Sequence, residues 1–155
     1  MKIAVLSDTH AASAEDLPRK VIDHLATVDL IVHAGDFVAR EVLEGLKKLK
    51  EVKAVRGNMD SDELKNLLPE REIFTVGNKR IGVTHGWGAP FRIESKVKSV
   101  FPGEKLDIII FGHSHFSQNK VIDGVLFFNP GKASRTFGIL TVREDINREI
   151  LSSEL

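Results

Sequence analysis

The sequence contains no cysteine. A disulfide framework, a thiolate zinc site, an iron–sulfur cluster and a cysteine nucleophile are therefore excluded, and any metal must be held by oxygen and nitrogen. Net charge is missing too, because 22 Lys and Arg balance 22 Asp and Glu. The basic excess of a general polyanion binder is absent, which argues against general nucleic-acid binding. No segment approaches the roughly 20 apolar residues of a bilayer-spanning helix, which argues against a membrane partner. The apolar run at 3–6 turns polar at Ser7, Asp8, Thr9 and His10 without a small-residue cleavage site. It reads as the first strand of the fold rather than a signal peptide, and a cytoplasmic location is the default expectation. What is present is ordinary for a globular chain: 155 residues, 42% hydrophobic and 28% charged. That is enough for a single core, and a single domain over 1–155 is expected.

Short apolar runs rich in β-branched residues lie at 3–6, 30–32, 52–55, 81–83 and 108–111 and predict buried strands. Between them, 17–28 carries Val21, Ile22 and Leu25 at helical spacing, with Pro18 tolerable in a first turn. Val42, Leu43, Leu46 and Leu49 repeat the pattern against Lys47, Lys48 and Lys50. Residues 61–68 predict a short helix entered through Asp60 or Ser61, and 91–101 a weaker one. The second half turns to strands at 120–122, 125–128, 137–142 and 146–151, with a hairpin signal at Asp123-Gly124. A βαβαβ start and a β-meander finish predict an α/β protein with two packed sheets and helices outside.

Polar residues concentrate at the ends of the predicted strands. Asp8 and His10 follow the first, Gly35-Asp36 the second, Gly57-Asn58 the third, His85-Gly86 a later one, and Gly112-His113-Ser114-His115 the next. The carboxyl ends of strands are where α/β folds bind ligands. Each piece alone has a simple reading as a cap or turn. Together they place His10, His85, His113 and His115, four of the chain's six histidines, beside two aspartates and an asparagine. Seven oxygen and nitrogen donors exceed the needs of one tetrahedral ion and suit two. The donor types fit manganese, iron, cobalt, nickel or zinc, and two carboxylates are few for a magnesium or calcium cage.

These five blocks, with Asn129-Pro130-Gly131 near the end, resemble in order and spacing the calcineurin-like metallophosphoesterases, in particular their small single-domain phosphodiesterase branch. The resemblance spans residues 2 to about 143. It implies a four-layer αββα sandwich, two mixed β-sheets flanked by helices, with two divalent transition-metal ions at the strand ends, manganese first among them. It implies that Asp8, His10, Asp36 and His115 hold one ion. Asp36 would bridge to a second, completed by Asn58, His85 and His113, and Asn58 and His85 would also take part in catalysis. Water activated between two cations would attack phosphorus in line. Two divalent ions, two carboxylates and one hydroxide sum to a formal +1, which matches a singly charged phosphodiester. A small or nucleotide-like phosphodiester is the substrate this implies. The alternatives are a phosphomonoesterase or nuclease, and a non-catalytic scaffold like the retromer-type relatives. Oligomeric state is left open, a homo-oligomer included.

The sequence departs from the family at the general acid. Met59 stands where many members have a histidine, and Ala39 where many have the aspartate that orients it. Asp60 is the nearest acid in sequence. His33 is expected behind the site and His24 on the surface. Arg40 is expected at a helix start rather than on phosphate, Lys132 and Arg135 in solvent, and Trp87 either as a wall for an organic substituent or as packing.

Overall fold

The computed structural model describes residues 1–154. Its first sheet contains β1 (Lys2–Leu6), β2 (Leu30–His33), β3 (Glu51–Ala54), β9 (Thr136–Val142) and β10 (Ile146–Ser152), ordered β10-β9-β1-β2-β3. Its second contains β4 (Arg71–Val76), β5 (Lys79–Thr84), β6 (Ile108–Ile110), β7 (Gln118–Ile122) and β8 (Val125–Asn129), ordered β4-β5-β6-β8-β7. Both sheets are mixed: β1, β2 and β3 are mutually parallel, as are β5, β6 and β8, while the other pairings are antiparallel.

Strand alternation sets the layers. Ile3 and Val5 of β1 face inward with Ile108 and Ile110 of β6, Leu126 and Phe128 of β8, and Leu140 of β9, forming the core between the sheets. Ala4 and Leu6 face the other way, onto α1 (Arg19–Leu25), α2 (Arg40–Leu49) and α3 (Asp62–Leu67) through Val21, Leu25, Val42, Leu43, Leu46 and Leu64. On the far side, Ile109, Phe111 and Phe127 pack against Ile93, Val97 and Phe101, from α4 (Ile93–Ser99) and the turn after it. The result is the expected αββα sandwich. Ser61, not Asp60, caps α3, its hydroxyl accepting from the Leu64 amide at 3.3 Å. Among the described residues no helix is long and apolar enough to cross a membrane.

Two features differ from the sequence reading. The last four strands are not one meander. They are two hairpins on different sheets, β7–β8 in the second and β9–β10 in the first, and the Asn129-Pro130-Gly131 segment carries the chain across. Strand β4 is additional. It is an edge strand with a single buried position, so it shows no long apolar run, and its local signal is the Gly77-Asn78 turn that joins it to β5.

Phe128 is fully buried between the sheets, and its ring occupies the space that a side chain at Gly138 would need. Phe128→Ala is expected to cost about 3–5 kcal/mol. Urea unfolding should show this as a lower midpoint with an unchanged slope.

Candidate metal centre

Loops from both sheets meet at one end of the seam. Asp8 and His10 follow β1, Asp36 follows β2 and Asn58 follows β3; His85 follows β5, and His113 and His115 follow β6. The loops turn sharply. Asp8, His10, Asp36, His113 and His115 all have left-handed backbones, with φ of 52°, 47°, 61°, 68° and 64°. Such conformations are sparsely populated for residues with a Cβ and cost on the order of 1–3 kcal/mol each, so the surrounding structure must impose them. Gly57 and Gly112 allow close approaches: a Cβ would lie 2.1 Å from Asp36 Oδ1 at the first and 1.9 Å from Ser7 Oγ at the second.

Asp8 and Asp36 are buried, as is His85. Asp8 Oδ2 accepts from the Ser7 hydroxyl at 2.7 Å and the His113 amide at 3.2 Å. Its Oδ1 is buried with no hydrogen-bond partner. His115 Nε2 lies 3.4 Å and His85 Nε2 3.9 Å from that oxygen. Asp36 Oδ1 accepts from the Met59 amide at 2.8 Å, while Oδ2 lies 3.3 Å from His85 Nε2 and 3.7 Å from His10 Nε2. Two groups of donor atoms fall within 4.8 Å of one another, Asp8–His10–His115 and Asp8–Asp36–His85. Asp8 is common to both, and Asp36 Oδ2 also lies between histidines from the two groups.

The imidazoles are oriented by backbone carbonyls. His85 Nδ1–H donates to the Ala34 carbonyl at 2.7 Å, which turns Nε2 toward Asp36, Asp8 and Asn58 Oδ1, the last at 3.0 Å. His113 Nε2–H donates to the Gly88 carbonyl at 2.9 Å, leaving Nδ1 facing Asn58 Oδ1 at 3.3 Å. All seven predicted donors thus come together.

Titration reflects the burial. Desolvation pushes the Asp8 carboxyl up, against the opposing pull of His85 and the Ser7 hydroxyl. Burial works the same way on Asp36, but the His85 contact and the Met59 amide outweigh it and hold the carboxyl down. Burial disfavours charge on His85, yet Asp36 and Asp8 overcome it and raise the imidazole. The oxygens around His85 Nε2 therefore attract a cation. The unpartnered Asp8 oxygen and the N/O donor set fit a divalent metal, which would satisfy that oxygen and stand in for the proton.

The remaining residues sort clearly. His33 is a buried brace: Gly35 N–H donates to its Nδ1 at 3.1 Å, and Nε2–H then donates to Thr9 Oγ at 3.2 Å, tying the β1 and β2 loops together. Burial depresses its pKa to about 3, so it stays neutral. His24 is half-buried edge-on to Phe137 rather than merely on the surface. Arg40 is engaged with Glu44 and Glu63 on the helix side. Met59 is 57% exposed and Trp87 48% exposed, so the indole is not core packing.

Two supports were not assigned from sequence. Asp60 is buried, and its carboxylate accepts from the amides of Gly57 at 2.7 Å, Val38 at 2.8 Å and Asp36 at 3.1 Å. It clamps the β2 and β3 loops. Asn129, also buried, donates to the Gly112 carbonyl at 3.1 Å and the Ser114 hydroxyl at 3.0 Å, propping the loop that carries His113 and His115. Its place before Pro130-Gly131 was the available signal. Asp60 had none beyond its spacing from Gly57.

The two-sheet αββα sandwich, with buried carboxylates beside imidazoles at its strand ends, is what the resemblance to the metallophosphoesterases implies. Residues 1–145 match the model of the calcineurin-like phosphoesterase superfamily domain, and the chain belongs to that superfamily. It is 38% identical over 134 residues to a probable metallophosphoesterase of Methanocaldococcus jannaschii, covering 84% of this chain and 67% of that one. A phosphodiesterase of the same organism is 28% identical over 173 residues, covering 97% and 99%. Among solved structures, wild-type Vps29 of Entamoeba histolytica complexed with zinc superposes with a TM-score of 0.75 at 24% identity, covering 99% of this chain and 100% of that one. That last likeness is one of fold.

Because Asp60 holds three loop amides, two of them buried, Asp60→Ala should destabilise the protein by about 2–4 kcal/mol and weaken metal retention. Asp60→Asn, which keeps an acceptor oxygen, should lose less. Thermal unfolding with and without chelator tests both, and wild-type stability in the alanine variant would contradict the clamp.

Proposed function

We propose that this protein is a phosphodiesterase acting on small or nucleotide-like phosphodiesters with two divalent transition-metal ions, manganese foremost. The observation that carries this reading is the buried, unpartnered Asp8 Oδ1 within two overlapping donor groups. Asp8, His10 and His115 would hold one ion, and Asn58, His85 and His113 the other. Asp36, between His10 and His85, is the proposed bridge. When bound, such ions lower the pKa of water and neutralise charge on phosphoryl oxygens. The chain supplies orientation: Ala34 and Gly88 fix the imidazoles, and Met59 N–H holds Asp36. Asn58 adds an uncharged oxygen, and Asn58 and His85 flank the place for the reacting phosphoryl group.

None of Met59, Ala39 and Asp60 serves as a proton donor to the leaving group. Met59 cannot donate, Ala39 sits at the start of α2, and the Asp60 carboxylate is committed to three amides. Those three amides leave Asp60, the nearest acid in sequence, without a part as substitute acid. Leaving groups must depart without that help, which is typically worth about 10²–10⁴-fold.

A protein-binding scaffold is the second reading, favoured by the likeness in fold to Vps29 and by the exposed Val38, Met59, Trp87, Phe91 and Phe116. Metal analysis together with turnover of aryl diesters, aryl monoesters and oligonucleotides separates the readings. Two ions per chain with preference for the diester supports the proposal. Well under two ions after reconstitution overturns the binuclear reading, and no turnover of any ester favours the scaffold.

Across aryl diesters of graded leaving-group pKa, kcat is expected to fall steeply. Met59→His should help little, and Met59→His with Ala39→Asp should help more, chiefly for poor leaving groups. A flat series with chemistry rate-limiting would mean that another group delivers the proton.

A further inference from the structure

Beside Asn58 and His85 a cavity of about 310 Å³ opens to solvent, walled by Arg56, Lys65, Glu70, Thr84 and Trp87. We propose that this cavity receives one ester arm of the substrate, and that it selects a flat aromatic arm with hydrogen-bond acceptors along its edge, as a nucleobase has. The inference rests on the phosphodiesterase reading and adds the substituent that the site prefers.

Position is the first argument. Asn58 and His85 belong to both the donor cluster and the cavity wall, so an arm attached to a phosphoryl group at the cluster enters the cavity directly. The volume is at the small end for ligand pockets, enough for a single base.

Trp87 is the second. Its indole is half-exposed two residues after His85, which is itself buried. The loop bearing it is fixed, because Lys96 Nζ donates to the carbonyls of Trp87 at 3.5 Å and Ala89 at 2.9 Å, and Gly88 receives His113. A half-exposed indole on a tethered loop at a cavity wall offers a stacking surface.

Arg56 is the third. One guanidinium nitrogen donates to the Lys65 carbonyl at 3.1 Å. Among the described residues no carboxylate lies within ion-pair distance of it. The other N–H groups of this planar fork remain for acceptors on a ligand, the geometry by which arginine reads base edges. Glu70 on the same wall offsets one of the two cations, which suits a neutral acceptor edge better than a second phosphate.

Trp87 is the only tryptophan in the chain, so its fluorescence reports on this cavity alone. Adenosine and guanosine monophosphates, titrated into the metal-loaded protein, are expected to quench it saturably, with inorganic phosphate binding at least tenfold more weakly or leaving it unchanged. Arg56→Met should raise the Kd of the nucleotides about tenfold. Trp87→Leu should lower kcat/KM for a nucleoside 5′-nitrophenyl phosphate at least tenfold more than for methyl nitrophenyl phosphate, with circular dichroism confirming the fold. Equal affinity for nucleotide and phosphate, or equal losses on the two esters, would overturn the subsite. Turnover of the methyl ester without nucleotide quenching removes the subsite and leaves the phosphodiesterase reading standing. Quenching without turnover of any diester does the reverse.

Discussion

Two carboxylates buried side by side at a seam between sheets are costly unless positive charge meets them. Asp8 and Asp36 are in that situation, and much of the surrounding architecture answers it. Asp8 spends one oxygen on the Ser7 hydroxyl and the His113 amide and turns the other toward imidazoles from both groups. Asp36 does the same with the Met59 amide, His85 and His10. Strained left-handed backbone at five of the donor positions is the cost of aiming so many polar side chains at one point. Asp60, His33 and Asn129 hold those loops by hydrogen bonds that do not involve the donor atoms themselves.

The donors were legible in the sequence because each follows an apolar run and stands beside or near a glycine or another polar donor. Strand ends in an α/β pattern converge, so the placement of Asp8, Asp36, Asn58, His85 and His113 points to a shared site. The braces were harder to read. Asp60 resembles any turn aspartate until its carboxylate is seen facing three amides, and a sequence carries no record of which way a carboxylate points. Strand β4 escaped for a related reason: an edge strand buries little, so hydrophobic periodicity had little to register. The division of the last strands between sheets was also hidden. Two hairpins in one sheet and two hairpins in two sheets share the same alternation, and only the crossover at Pro130 separates them.

The same separation between site and support explains how the general-acid position can change without disturbing the fold. Met59 is exposed, and its contribution to the cluster is its backbone amide, which any residue but proline supplies. Ala39 precedes α2 at a position with no capping side-chain bond. Neither side chain supports the donor loops, so substitutions at both leave the buried carboxylates and their imidazoles in place.

Strand β1 lies at the centre of its sheet, between β2 and β9. Its start is closed by the contact of Met1 with the Val142 carbonyl, 141 positions along the chain. During synthesis β1 and β2 therefore leave the ribosome long before β9 exists, and at about 5–20 residues per second the wait is on the order of ten seconds. Through that interval a strand apolar at four of its five positions carries an unpaired edge, and His113 and His115 have yet to reach Asp8. The nascent chain thus holds its acidic loops, with His10 among them, before it has the last two imidazoles of the cluster. Convergence of the full donor cluster and closure of the central strand therefore both wait for the later part of the chain.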